Sequence, residues 1–138
     1  MIPTLMDEIR VPITCEIDIV AARQEGRALG STLGFSSSEL TVIATAVSEI
    51  ARNIVKYARD GDITFSLVGT VPRRGLMIVA KDNGPGIADL SLALQDGYST
   101  SKSLGVGLPG ARRLMDDFEI DTELGKGTVI KMIKWKKQ

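Results

Sequence analysis

The sequence predicts an α/β fold, a mixed sheet with helices packed on one face, and three patterns carry that prediction. Leu40, Ile43, Val47, Ile50, Ile54 and Tyr57 recur at three- and four-residue steps, the spacing of one helix face. Two short apolar runs, residues 63–68 and 76–80, flank a turn marked by Arg73-Arg74-Gly75 and read as a hairpin. A second pair of runs, 118–123 and 128–135, is joined at Gly125-Lys126-Gly127 and closes the chain. The resulting order is strand, helix, helix, two strands, loop, helix, two strands.

Taken from the N-terminus, residues 9–15 alternate enough to form a strand, and Pro12, which cannot donate to a ladder, puts it at a sheet edge or a bulge. Asp18 is placed to cap a helix that runs to about Leu33 and stops at Gly34. The second helix takes Ser36, Ser37 or Ser38 as its N-cap and continues to about Ala58. Asp60-Gly61 then turns the chain into the first hairpin. Residues 84–107 are rich in Gly, Ser, Thr, Pro and Asp and too long for an idle connection, which marks a functional loop; 87–96 has room for a short helix. Pro109 suits a first helical turn, and Leu108, Ala111, Leu114 and Met115 carry that helix to about Asp117. No repeat and no linker divides the sequence, which reads as one domain over residues 1–138.

Composition narrows the chemistry. Hydrophobic residues make up 43% and charged residues 25%, the balance of a globular protein with a real core. Lys+Arg and Asp+Glu are both 17, so there is no general basic footprint for nucleic acid. Lys131, Lys134, Lys136 and Lys137 interleave with Met132, Ile133 and Trp135, as in a last strand with lysines on its wet face or fraying end. Cys15 is the sole cysteine, which excludes an intrachain disulfide and a C-x-x-C site, and it is expected in the core. No apolar run approaches the roughly 20 residues that span a bilayer, and the N-terminus lacks a basic region followed by an apolar stretch, so the expected location is cytoplasmic. The chain has no histidine, which excludes Ser-His-Asp catalysis, zinc hydrolysis through His ligands and a phosphohistidine on this chain.

Four short sequences in fixed order together resemble a magnesium nucleotide site: Glu49-x-x-x-Asn53, Asp82-Asn83-Gly84-Pro85-Gly86, Gly105-Val106-Gly107-Leu108 and Gly125-Lys126-Gly127-Thr128. Glu49 and Asn53 are neighbours on one helix face, off the centre of the apolar stripe. An amide oxygen suits Mg²⁺, and a carboxylate one turn away suits a general base; a solvated Glu and a tolerated Asn is the plainer alternative. Asp82 ends a buried strand, where a carboxylate needs donors such as the exocyclic amine of adenine, and Gly84 and Gly86 let backbone approach a flat ring. An ordinary Asp-Asn-Gly turn accounts equally for that segment. Residues 105–110 also match G-x-G-x-x-G, but a dinucleotide fingerprint should follow a strand directly, and here a Ser/Thr loop precedes it. A eukaryotic-type protein kinase is excluded because Val79-Ala80-Lys81 comes before the glycine loop and no H-R-D or D-F-G follows. What remains is a glycine-rich helix entry whose N–H groups suit phosphate, or one that is purely structural.

In order and spacing, these elements resemble the N, G1, G2 and G3 boxes of the GHKL ATPase/kinase superfamily. More narrowly, residues 18–24, 49–53 and 105–116 are similar to the RsbT-type serine/threonine switch kinases of the bacterial stressosome. The resemblance implies a Bergerat-type two-layer α/β sandwich with a mostly antiparallel sheet, ATP and Mg²⁺ as cofactors, and phosphorylation of Ser/Thr on STAS-domain partners similar to RsbS and RsbR. It implies Asn53 as the magnesium ligand, Glu49 as the catalytic base, and Asp82 as the adenine-recognising carboxylate. Gly84 and Gly86 would lie in the adenine-binding turn, and Thr128 would support the ring through water. Gly105, Val106, Gly107 and Leu108 would line the phosphates under a lid at about 87–104. Lys56 matches a lysine that some histidine kinases direct at phosphate. Related anti-sigma-factor kinases often place an arginine just before the G2 box; here Lys102-Ser103-Leu104 stands there, so Lys102, or a cation from the partner, would replace it.

By the same resemblance, transfer would be direct, from ATP to a partner hydroxyl with no stable phosphoenzyme. The kinase would be exchanged between a STAS scaffold that sequesters it and a phosphatase similar to RsbU that it activates. Two alternatives stay open at this level: an anti-sigma factor with serine kinase activity, of the SpoIIAB and RsbW type, and a nucleotide-dependent binding module without phosphotransfer. Residues 108–116 favour the switch kinase, and the presence of Glu49 argues against the binding module.

Overall fold

A computed structural model describes residues 8–58, 60–84 and 107–136. Its elements are strand β1 (Ile9–Ile13), helices α1 (Glu16–Thr32) and α2 (Ser37–Asn53), a π-helical turn (Ile54–Ala58), strands β2 (Gly61–Thr70) and β3 (Arg73–Asp82), helix α3 (Gly107–Leu114), and strands β4 (Asp117–Glu123) and β5 (Gly127–Trp135). The five strands form one sheet in the order β1-β2-β3-β5-β4. Every pairing is antiparallel, so the sheet expected to be mixed is antiparallel throughout the described residues. β1 is an edge strand, as Pro12 requires.

Alternation along the strands builds the core. Ile63 and Phe65 of β2, Leu76, Ile78 and Ala80 of β3, and Ile130 and Met132 of β5 share one face and are buried with Ile43, Val47 and Ile50 of α2. α1 packs on α2 and α3 packs on α2's other flank, giving the two-layer sandwich. Among the described residues no helix is long and apolar enough to cross a membrane.

Capping fixes where the helices begin. Ser36 is the N-cap of α2: its Oγ accepts the Glu39 N–H at 3.2 Å, while Glu39 Oε1 accepts the Ser36 N–H at 2.9 Å. That N–H is the main reason the Glu39 carboxyl lies below its ordinary 4.5. The contribution of this charge to stability is therefore present above 4.5 and fades as pH falls through the lowered folded-state value. Ser36→Ala is expected to cost about 1 kcal/mol in urea unfolding at neutral pH.

Several local expectations are corrected. Asp18 does not cap α1 from the N-cap position; Cys15 holds that position, and Asp18 Oδ2 reaches back from the first turn to the Thr14 N–H at 2.8 Å and the Cys15 N–H at 3.2 Å. Cys15 is exposed rather than in the core, because the N-cap lies outside the sandwich. The first hairpin turns at Val71-Pro72, and Arg73, Arg74 and Gly75 already pair within β3. α3 stops at Leu114, where Asp116 accepts the Trp135 N–H at 2.7 Å and ties the helix end to β5. Lys134 is not on a wet face: its Nζ lies 3.4 Å from the Leu114 carbonyl and 3.7 Å from Asp116 Oδ1. Tyr57 leaves the apolar stripe and is 49% exposed, because the π-helical turn after Asn53 breaks the 3.6-residue period.

Candidate nucleotide-binding and phosphotransfer site

α2 sets Glu49 and Asn53 one turn apart on one face. Glu49 is 7% exposed, which rules out the solvated-glutamate reading. Its Oε1 accepts a hydrogen bond from Arg52 Nη1 at 2.9 Å, a pairing that offsets the cost of taking a carboxylate out of water. Asn53 is the last residue of α2 and is half-buried. The helix then widens into the π-helical turn, a local geometry frequent at functional sites. Lys56 lies in that turn with its side chain exposed, and among the described residues it makes no hydrogen bond or ion pair.

β3 delivers Asp82 at its last position. The sheet register sets it opposite Gly61 of β2 on one side and Thr128 of β5 on the other. Asp82 Oδ1 accepts the Gly84 N–H at 2.8 Å, which closes a tight turn, and among the described residues Oδ2 carries no hydrogen bond. Thr128 is 7% exposed, and its hydroxyl lies 2.9 Å from that of Thr122, which donates to the Gly127 carbonyl at 3.3 Å. As direct cross-strand neighbours, Asp82 and Thr128 share the helix-covered face, a carboxylate beside a hydroxyl. That donor and acceptor set suits an exocyclic amine together with a bridging water.

Two glycines make this geometry possible. Gly127 has φ +106, and a Cβ there would run into the Asp82 carbonyl oxygen. Gly127→Ala is therefore expected to lose roughly 1–3 kcal/mol from the backbone conformation alone, read by denaturant unfolding. At Gly84 a Cβ would lie 2.7 Å from Ala58 Cβ and 2.9 Å from Ala58 Cα. The turn after Asp82 is thus seated against the end of the π-helical turn, five residues beyond Asn53.

The structure therefore seats Gly84, two residues past Asp82, against Ala58 of the turn that follows Asn53, with Asp82 in register with Thr128. Gly107 opens α3 and Leu108 follows it, on a helix that packs against α2 through buried Ala111. A helix start of this kind presents free backbone N–H groups to an anion. Gly86, Lys102, Gly105 and Val106, with the lid expected at 87–104, lie outside the described residues. Among the described residues no group of three or more His, Cys, Asp or Glu gathers to hold a metal. An amide such as that of Asn53 fits Mg²⁺, which takes most of its shell from phosphate and water.

Sequence reasoning missed Arg52 and Thr122. Arg52 was legible as the i,i+3 partner of Glu49 on a helix. Thr122 was legible as the polar residue that continues the Phe118, Ile120 alternation.

Comparison with known proteins identifies the family. Residues 11–134 match the family model of the histidine kinase-like ATPase domain. Serine/threonine-protein kinase RsbT of Bacillus subtilis is 49% identical over 129 residues, which cover 94% of this chain and 97% of that protein. An anti-sigma F factor of Clostridium kluyveri is 30% identical over 117 residues, 82% of each chain. Among solved structures, the mycobacterial sensor histidine kinase MprB superposes with a TM-score of 0.52 at 20% identity, covering 70% of this chain and 71% of that one, a likeness of fold. Matched over residues 11–134 and along nearly the whole of RsbT, the chain belongs to the histidine kinase-like ATPase family and is a homologue of serine/threonine-protein kinase RsbT.

Proposed function

We propose that this chain works in the cytoplasm as an ATP-dependent serine/threonine protein kinase whose acceptors are STAS-domain proteins similar to RsbS and RsbR. The observation that supports the reading is the seating of the Gly84 turn on Ala58, at the end of the turn that follows the helix of Glu49 and Asn53. Identity to RsbT over nearly the whole chain supports it.

In this reading Asp82 and Thr128 hold the adenine ring, with Gly84 and Gly86 in the turn beside it. Gly105, Val106, Gly107 and Leu108 line the phosphates, and Lys56 and Lys102 are the candidate phosphate cations. Asn53 would hold Mg²⁺, which would supply charge neutralisation for the transferring phosphate. The hydroxyl oxygen of the partner's Ser or Thr attacks the γ-phosphorus, its proton passes to Glu49, and the bond to the β,γ-bridging oxygen breaks to release ADP. Positioning and electrostatics contribute most of the rate. Phosphorylation of the scaffold then frees the kinase to bind and activate a phosphatase similar to RsbU.

The test is incubation with γ-labelled ATP, Mg²⁺ and a candidate STAS protein, followed by mapping of the label. Label on one Ser or Thr of the partner is the expected result, and no transfer to any STAS protein would overturn the assignment. The 30% identity to an anti-sigma F factor favours a second reading, a kinase that binds a sigma factor. A sigma-factor pull-down in the presence of ATP separates the two.

A further inference from the structure

We propose that Arg52 is a positioning residue for transfer: its guanidinium holds the Glu49 carboxylate in the orientation that receives the acceptor's proton. The proposal rests on the reading of Glu49 as the proton acceptor. Arg52 Nη1 lies 2.9 Å from Glu49 Oε1. The Glu49 side chain is 9% exposed and that of Arg52 is 37% exposed, so the guanidinium reaches the buried carboxylate from the solvent side.

An i,i+3 pair between two exposed residues adds little to a helix, and its side chains keep most of their rotamer freedom. Burial of one partner changes that balance. Glu49 has three side-chain torsions and is buried, so its carboxylate calls for a counter-charge. Arg52 gives it a directional one, at the spacing one helical turn provides. The site also suits Arg52 itself, because it is the basic residue of the last turn of α2, where the helix dipole favours a cation. Arg52 immediately precedes Asn53, so one backbone turn fixes the tether of the base and the candidate magnesium ligand in a common frame.

A role in orientation differs from a role in stability by what it does to the rate. Arg52→Met keeps the aliphatic stem and removes the tether. The kcat for labelling the STAS acceptor is expected to fall about 10- to 100-fold, the cost of misplacing a reacting group by about an ångström. ATP affinity by calorimetry is expected to stay within about threefold of wild type, since the nucleotide contacts lie elsewhere. Arg52→Lys, which retains a shorter cation, is expected to recover part of the lost kcat. In a Glu49→Gln background, Arg52→Met is expected to cost nothing further, because there is no base left to orient.

Transfer by Arg52→Met within about twofold of wild type, while Glu49→Gln is inactive, overturns the positioning role and leaves the base standing. Losses that multiply in the double variant also overturn it, since Arg52 would then act on phosphate or partner independently of Glu49. Wild-type transfer by Glu49→Gln removes the base reading, and this proposal with it. If Arg52→Met does not fold, the same comparison is made with Arg52→Lys alone and in the Glu49→Gln background.

Discussion

Asp82→Asn is expected to abolish ATP binding at concentrations that saturate the wild-type protein. The carboxylate has one oxygen engaged by the Gly84 N–H at 2.8 Å, and the substituted amide can keep that bond through its own carbonyl. What then stands where Oδ2 stood is an NH₂ group. In the proposed site adenine would present a second NH₂ group there, so donor would meet donor and two desolvated polar groups would be left unpaired. A hydrogen bond to a charged group contributes about 1.5–3 kcal/mol, and the unpaired partner adds a further 1–3 kcal/mol. The total corresponds to a loss of roughly two to four powers of ten in affinity. The fold should survive, because the substitution is isosteric, retains the turn and leaves Gly61 and Thr128 in register with residue 82. Calorimetry with ATP and Mg²⁺ measures the effect, and thermal unfolding without nucleotide is the control. Affinity within about threefold of wild type would remove Asp82 from the adenine site.

The parts of this molecule that repeat a period were legible in the sequence. The α2 stripe, the alternation of β2, β3 and β5, and Pro12 at an edge all come from local rules that the tertiary structure leaves intact. Errors fell where one local rule gives way to another. The regular helix expected through Ala58 changes to a π-helical turn after Asn53, and Tyr57 consequently faces solvent. Apolar spacing cannot reveal such a change, since Ile54 remains buried in either geometry. Arg73-Arg74-Gly75 resembles a turn in composition, yet it pairs within the sheet, with Gly75 opposite Trp135, whose indole a Cβ at Gly75 would meet at 2.8 Å. The candidate site drew attention through residue types unusual for their expected elements, an Asn in the middle of a patterned helix and an Asp at the end of a buried strand, and the structure instead puts Asn53 at the end of α2. Its cross-links were not legible. Sheet register places Thr128 beside Asp82 over a separation of 46 positions, and the contact of Gly84 with Ala58 depends on how the π-helical turn meets the sheet.

Glu49→Gln is expected to bind ATP normally and to transfer phosphate about 10²- to 10⁴-fold more slowly, the usual contribution of a positioned general base. The substitution isolates proton transfer because little else changes. Glutamine fills the same volume at a position 7% exposed, so no cavity opens in α2. Its carbonyl oxygen can still accept from Arg52 Nη1, which keeps the tether that the carboxylate has at 2.9 Å. The adenine contacts proposed above are those of Asp82 and Thr128, on β3 and β5 rather than α2. An amide, however, has no lone pair basic enough to take the proton of a serine or threonine hydroxyl as its oxygen attacks phosphorus. The expected pattern is thus an unchanged dissociation constant for ATP and a loss confined to the rate of labelling of the STAS acceptor. Glu49→Ala would confuse the two, since it also strips Arg52 of its partner. Single-turnover transfer from γ-labelled ATP at saturating acceptor reads the chemical step directly. A wild-type rate there would mean that the departing proton goes to water or phosphate, and that burial of Glu49 serves some end other than proton transfer.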